Sequence, residues 1–241
     1  MYPRKKLISN AKGAQVDNSL IKEFTEKIQP IVPGYKVVRK KDSLLMRFLG
    51  VILFFVPNFM ENYGTTVGNK VYLTDNSLKN QHIGLAVHLG HEAQHVYDKQ
   101  HFFLRAFGYG IFYLLPQVLA LVALGSLLAI WFDIRWLWCL TALALAAPIP
   151  SYGRMWVERR GYLLSFMGYS WVYGDEQSAK IMGRQIKQFT GPAYYFMWPF
   201  KKSLLKWFTK NITKYQNNPE LAGPVHKFVF DFIRERNGGK P

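Results

Sequence analysis

One pentapeptide, His91-Glu92-Ala93-Gln94-His95, constrains this chain more than any other feature, because the pattern HExxH has chemical meaning only on a helix. Residues four apart on an α-helix share a face one turn apart, so His91 and His95 can turn their imidazoles toward one ion while Glu92 stands beside them. In this pattern the two histidines bind zinc, and the glutamate is a general base for a metal-activated water. A third ligand must then come from elsewhere in the chain, which requires a fold that brings a second segment onto this helix.

The preceding residues suit such a helix. Residues 68–74 read as a short strand, Asp75, Asn76 and Ser77 as capping residues, and Ile83, Leu85, Ala86, Val87 and Leu89 as an apolar run that buries one face. A strand followed by a buried HExxH helix resembles the zincin arrangement. That resemblance implies an extended peptide added to the edge of the strand, with Val71, Tyr72, Leu73 and Thr74 as the substrate-binding element.

Two residues compete for the third ligand position. Reading on from the motif, His101 falls where the metzincin pattern HExxHxxGxxH places its last histidine, but Asp98 stands where that pattern has glycine. Glycine there lets the chain reverse; a helix continuing through Asp98 carries His101 along the axis, away from the ion. Further on, Glu158 lies in Glu158-Arg159-Arg160-Gly161-Tyr162, after a long apolar stretch. HExxH, a hydrophobic hairpin and then a glutamate-bearing helix resembles the membrane zinc endopeptidases of the heat-shock peptidase and CAAX prenyl-protease type. Over residues 68–170 that resemblance implies His91, His95 and Glu158 as ligands of Zn²⁺ and Glu92 as base, with His101 the alternative third ligand. The match to the family's ExxAD motif holds only at the glutamate, since Gly161 and Tyr162 replace its alanine and aspartate. Around these residues, His88 and Asp98 are candidates to support the ligands, and Tyr162, Tyr169, Tyr173 and His226 to stabilise a developing oxyanion.

Residues 109–150 are almost wholly apolar, interrupted by Asp133 and Arg135. Residues 109–130 are long enough to cross a bilayer as a helix and residues 136–148 less so, which predicts a hydrophobic hairpin with Trp131, Trp136 and Trp138 near one interface. Residues 44–60, interrupted by Arg47, Pro57 and Asn58, predict an interfacial or re-entrant helix instead. The chain of 241 residues carries a net charge of +16. Residues 1–47 hold eleven basic and four acidic side chains, residues 150–241 fifteen and six, and the segment between them balances. Basic ends with a neutral centre predict a membrane location with the catalytic side facing the cytoplasm and an anionic lipid surface as partner. Aromatic and basic residues also interleave in residues 194–210, a pattern that suits a membrane surface and can equally grip nucleic acid. A single cysteine, Cys139, excludes an internal disulfide framework, and the N-terminal stretch lacks the pattern of a cleavable signal.

The expected fold class is mainly α with a small β-sheet, zincin-like, with the hairpin inserted between the HExxH helix and the glutamate helix. The expected divisions are a basic helical segment at 1–43, an interfacial helix, edge strand and HExxH helix at 44–108, the hairpin at 109–150, and the glutamate helix with a basic aromatic helical region at 151–241. The expected activity is hydrolysis of peptide bonds in a peptide or protein substrate. Alternatives from other classes are a cationic membrane-active or structural protein, such as one of a phage particle, with a structural or vestigial metal site, and a nucleic-acid-binding protein.

Overall fold

A computed structural model describes residues 19–52, 58–62, 64–79, 83–103, 105–115, 117–146, 150–191 and 197–238. The fold is mainly helical with a small three-stranded sheet. Helix α1 (Ser19–Ile28) stops before Pro30, and its buried residues Leu20, Phe24 and Ile28 recur at helical spacing, so one face packs inward. The chain then forms strand β1 (Lys36–Arg39), helix α2 (Leu44–Ile52), the short helix α3 (Phe59–Asn62), and strands β2 (Thr65–Val67) and β3 (Lys70–Leu73). Gly68, with φ +65°, allows the tight turn that reverses the chain between β2 and β3.

The sheet order is β1-β3-β2. Strand β3 pairs in parallel with β1, Val37 opposite Val71, and antiparallel with β2, Thr66 opposite Val71. With a neighbour on each side, Val71, Tyr72 and Leu73 are buried and offer no free edge, and Thr74 lies beyond the strand. The substrate-strand expectation for residues 71–74 is therefore corrected: strand formation was legible, but an edge position was not, because the partners are the short segments Lys36–Arg39 and Thr65–Val67 that carry weak strand signals of their own. Among the described residues, the edge strand next to the HExxH helix is β2.

After helix α4 (Asp75–Lys79), helix α5 (Gly84–His101) carries HExxH through the middle of the molecule. Leu85, Ala86, Val87, Leu89, Ala93 and Val96 are buried on it, and the Tyr35 hydroxyl donates to the Leu89 carbonyl at 3.1 Å. Helix α6 (Arg105–Leu114) follows, and after the apolar region come α7 (Tyr152–Tyr173) and α8 (Asp175–Thr190), separated by Gly174 at φ +82°. Helices α9 (Lys201–Tyr215) and α10 (Pro224–Arg236) close the core. Gly90 marks the tightest crossing: a methyl group there would come within 2.5 Å of Val229 on α10 and 3.0 Å of Leu164 on α7.

The apolar region departs from its expected form. Helix α6 ends at Leu114, and the chain continues as two 3-10 segments, Gln117–Ile130 and Ile134–Ala146, which pack on each other. No helix among the described residues is long and apolar enough to cross a membrane. That finding overturns the expected transmembrane helix over residues 109–130 and, with it, the expected membrane location, which rested on that hairpin together with the basic ends. Hydropathy counts apolar residues but is blind to where the α-helical ladder ends, and Pro116, which has no N–H to donate, stands between α6 and the first 3-10 segment. Residues 44–60 likewise divide into α2 and α3, with residues 53–57 outside the described residues. The N-terminal segment 1–18 and residues 192–196, which include the start of the aromatic and basic run 194–210, also lie outside them.

Candidate metal centre

Helices α5 and α7 face each other and bring three ligand atoms together. His91, His95 and Glu158 each offer one atom, all within 4.8 Å of one another. The two Nε2 atoms are 3.0 Å apart, and the Glu158 Oε2 lies 3.9 Å from that of His91 and 3.6 Å from that of His95. Three ligand atoms at the corners of a tetrahedron around zinc, each about 2.05 Å from the ion, stand ~3.3 Å from each other. The observed separations bracket that value. Two ring nitrogens and a carboxylate oxygen turned to one point also make a site of electron-rich atoms that a cation relieves.

The supports of His91 and Glu158 identify which of their atoms is free to bind, whereas His95 Nδ1 is buried with no hydrogen-bond partner. His91 Nδ1 is 2.9 Å from the hydroxyl of the buried Ser165, so the proton sits on Nδ1 when Nε2 faces an ion. Tyr162 packs its ring edge-on against His91, with centroids 4.9 Å apart, and so braces the ligand. Gly161 is needed for that approach: a Cβ there would lie 2.9–3.0 Å from three atoms of the His91 ring. Glu158 is buried, with Oε1 accepting a hydrogen bond from the Tyr113 hydroxyl at 2.6 Å. Burial opposes its charge, but His95 and His91 hold the Glu158 carboxyl well below the usual carboxylate range. For His95, burial opposes protonation, and the attraction of Glu158, its hydrogen bond, and the charges of Glu92 and Asp98 outweigh it, raising the imidazole to about 9.

Glu92 sits next to this cluster, also buried, and its Oε2 accepts from the Thr66 hydroxyl on β2 at 2.5 Å. Burial works against its charge, yet His88, His91 and His95 together with the Thr66 bond keep the carboxyl below its ordinary value. On its other side Gly64 has no side chain, and a Cβ there would meet His88 Nε2 at 2.9 Å and Glu92 Oε1 at 3.5 Å. His88 Nε2 is buried with no hydrogen-bond partner, and burial, only partly offset by Glu92, lowers the His88 imidazole.

Other expected residues are placed elsewhere. Helix α5 runs through Asp98 to His101 without reversing; His101 is exposed, stacks on Tyr97 with centroids 4.0 Å apart, and sits with Nδ1 2.9 Å from the Tyr97 carbonyl. The alternative third ligand is thus outside the cluster, because aspartate in the glycine position leaves the helix unbroken. Asp98 does not orient His95: its carboxylate accepts from Gln94 at 2.7 Å and from Arg160 at 2.9 Å, which ties α5 to α7. Tyr169 and Tyr173 stack on each other, and the buried His226 has neither ring nitrogen bonded. Sequence reasoning missed Thr66, Tyr113 and Ser165. Each acts through a contact between segments distant in sequence, and none carries a local signature.

Comparison with family models, curated proteins and solved structures found no match to this chain.

Proposed function

We propose that this chain is a zinc-dependent metallopeptidase of the zincin type, with His91, His95 and Glu158 as ligands and Glu92 as general base. One observation carries the reading: a buried HExxH glutamate, its carboxyl held below the ordinary value by the neighbouring histidines against the effect of burial, stands beside three ligand atoms spaced for a tetrahedral ion. A structural metal site has no use for a fourth, uncoordinated group, a second carboxylate whose charge burial opposes. Zinc bound there would supply Lewis acidity to a scissile carbonyl and lower the pKa of water.

The chain's own residues supply the rest. Thr66 holds Glu92 by Oε2, so Oε1 is the oxygen that takes a proton from the attacking water and later returns it to the leaving amine. Ser165 fixes the tautomer and ring plane of His91. Strand β2 is the sheet's edge next to Glu92 among the described residues, so an extended peptide would add to Thr65–Val67 by main-chain hydrogen bonds. The apolar residues between α6 and α7 form an insertion in this arrangement.

Glu92→Gln is expected to retain one zinc per chain by elemental analysis and to lower cleavage of a peptide library by about 10²–10⁴-fold. Glu158→Ala is expected to lose the metal and His101→Ala to keep it. Cleavage at the wild-type rate by Glu92→Gln would refute the mechanism, and a wild type that takes up no zinc would refute the site.

A further inference from the structure

The third ligand is held by a residue that lies outside the two ligand-bearing helices. Tyr113, near the end of α6, gives its hydroxyl hydrogen to Glu158 Oε1 at 2.6 Å, whereas Oε2 is the oxygen turned toward the two histidines. The two carboxylate oxygens therefore have different tasks. We infer that Tyr113 is a positioning residue that restricts Glu158 to ligation through one oxygen, and so keeps a coordination position free for water. The inference rests on the metal-site reading above.

The geometry that supports it extends past the single hydrogen bond. The C-terminal end of α6 and the N-terminal end of α7 are in backbone contact, since a Cβ on Gly153 would fall 1.9 Å from the Phe112 carbonyl oxygen. The Ser151 hydroxyl donates to the Leu115 carbonyl, and the same oxygen accepts from the Arg154 N–H to cap α7. Glu158 stands one turn beyond Arg154 on α7, whose guanidinium lies 5.5 Å from the Tyr113 ring centre. Tyr109, one turn earlier on α6, stacks on Tyr113 with centroids 6.4 Å apart. The hydroxyl is thus aimed from a fixed backbone by a braced ring, and Oε1 cannot swing to an ion without breaking a short bond to a charged acceptor.

The alternative, a carboxylate chelating through both oxygens, would give an ion four protein atoms instead of three. A catalytic zinc site keeps one position open, and a structural site fills all four. Tyr113 is in this sense the residue that separates the two outcomes.

Tyr113→Phe removes the hydroxyl and keeps the ring. In the full-length protein loaded with Co²⁺, the wild type, with three protein atoms and a water on the ion, is expected to shift its visible bands as pH takes that water through ionisation, and Tyr113→Phe, with four protein atoms, to give bands that pH leaves unchanged. Zinc affinity of the variant, measured against a chromophoric chelator, is expected to fall about tenfold, the lower end of what loss of a supporting hydrogen bond costs. Identical cobalt spectra for the two proteins would overturn the inference while leaving the metal site intact. A wild type that binds neither ion would instead sink the underlying reading. Difference infrared spectroscopy of the wild type on zinc addition makes the test independent of how the variant folds. Widely separated antisymmetric and symmetric carboxylate stretches mean ligation by one oxygen, and closely spaced ones mean chelation and overturn the inference.

Discussion

His95 and Glu158 show how much of the site is decided by single residues. Without metal they form a buried pair, with His95 raised to about 9 and Glu158 held low. An unfolded histidine titrates near 6.5, so between about pH 6.5 and 9 the folded chain binds the extra proton. The stability this pair contributes is full below pH ~6.5 and is lost as pH rises through about 9. The melting temperature of the metal-free protein should fall across that window. With zinc the trend reverses, because the ion must displace the His95 proton and binds more tightly as pH rises. Thermal melts of the chelator-treated and zinc-loaded proteins from pH 6 to 9.5 check both signs, and parallel curves would show that His95 and Glu158 do not form the pair described. At this scale the sequence was informative where chemistry is local. HExxH announced its own helix, and Glu158 could be proposed as its partner from residue type and distance along the chain. Thr66, Tyr113 and Ser165 could not, because threonine, tyrosine and serine occur throughout this chain and only the approach of β2, α6 and α7 to α5 selects these three.

The elements owe their positions to small residues at crossings more than to propensity. Gly161 admits His91 between α5 and α7: alanine at this position would place its methyl within 2.9–3.0 Å of three atoms of the His91 ring. Gly90 plays the corresponding part among α5, α7 and α10. Gly90→Ala gains helix propensity, worth about 1 kcal/mol, but sets a methyl group 2.5 Å from Val229 and 3.0 Å from Leu164. Overpacking of this kind costs about 1–3 kcal/mol, so the net change should be destabilising. Urea denaturation of the variant should show a lower midpoint with an unchanged slope; a higher midpoint would mean that α10 yields freely and is not a fixed wall of the core. Helices were legible at this scale because α1, α5 and α7 carry periodic apolar faces or caps. Strands of three and four residues were not, and missing β1 and β2 is what turned a central strand into an expected edge.

At the scale of the molecule, the core and the apolar segment beyond α6 are built on different terms. The core is a contiguous cluster running from Leu20 on α1 to Ile233 on α10. In the two 3-10 segments, by contrast, Leu121, Leu124, Leu127 and Ile130 are exposed, and Trp131 and Trp138 are 81% and 76% exposed. Their packing is chiefly on each other. Exposed apolar surface of this extent promotes self-association. The sequence revealed the hydrophobicity of residues 109–150 but not its conformation, because an unbroken apolar run has no periodicity to distinguish an α-helix from a 3-10 path or a buried segment from an exposed one. The stem of this region is closed: Ser151 bonds to the Leu115 carbonyl, so the chain leaves the core and returns to it at neighbouring points. Replacing residues 116–149 by a short Gly-Ser linker should therefore join ends that already touch, at the modest entropy of a short loop. Every residue of the candidate metal site, Thr66, His91, Glu92, His95, Tyr113, Glu158 and Ser165, remains in the shortened chain. It is expected to bind one zinc per chain, to melt within a few degrees of the full-length protein, and to elute from a sizing column with less aggregate. Loss of zinc binding in a chain that still melts cooperatively would show instead that the apolar segment, and not only its stem, holds Tyr113 against Glu158.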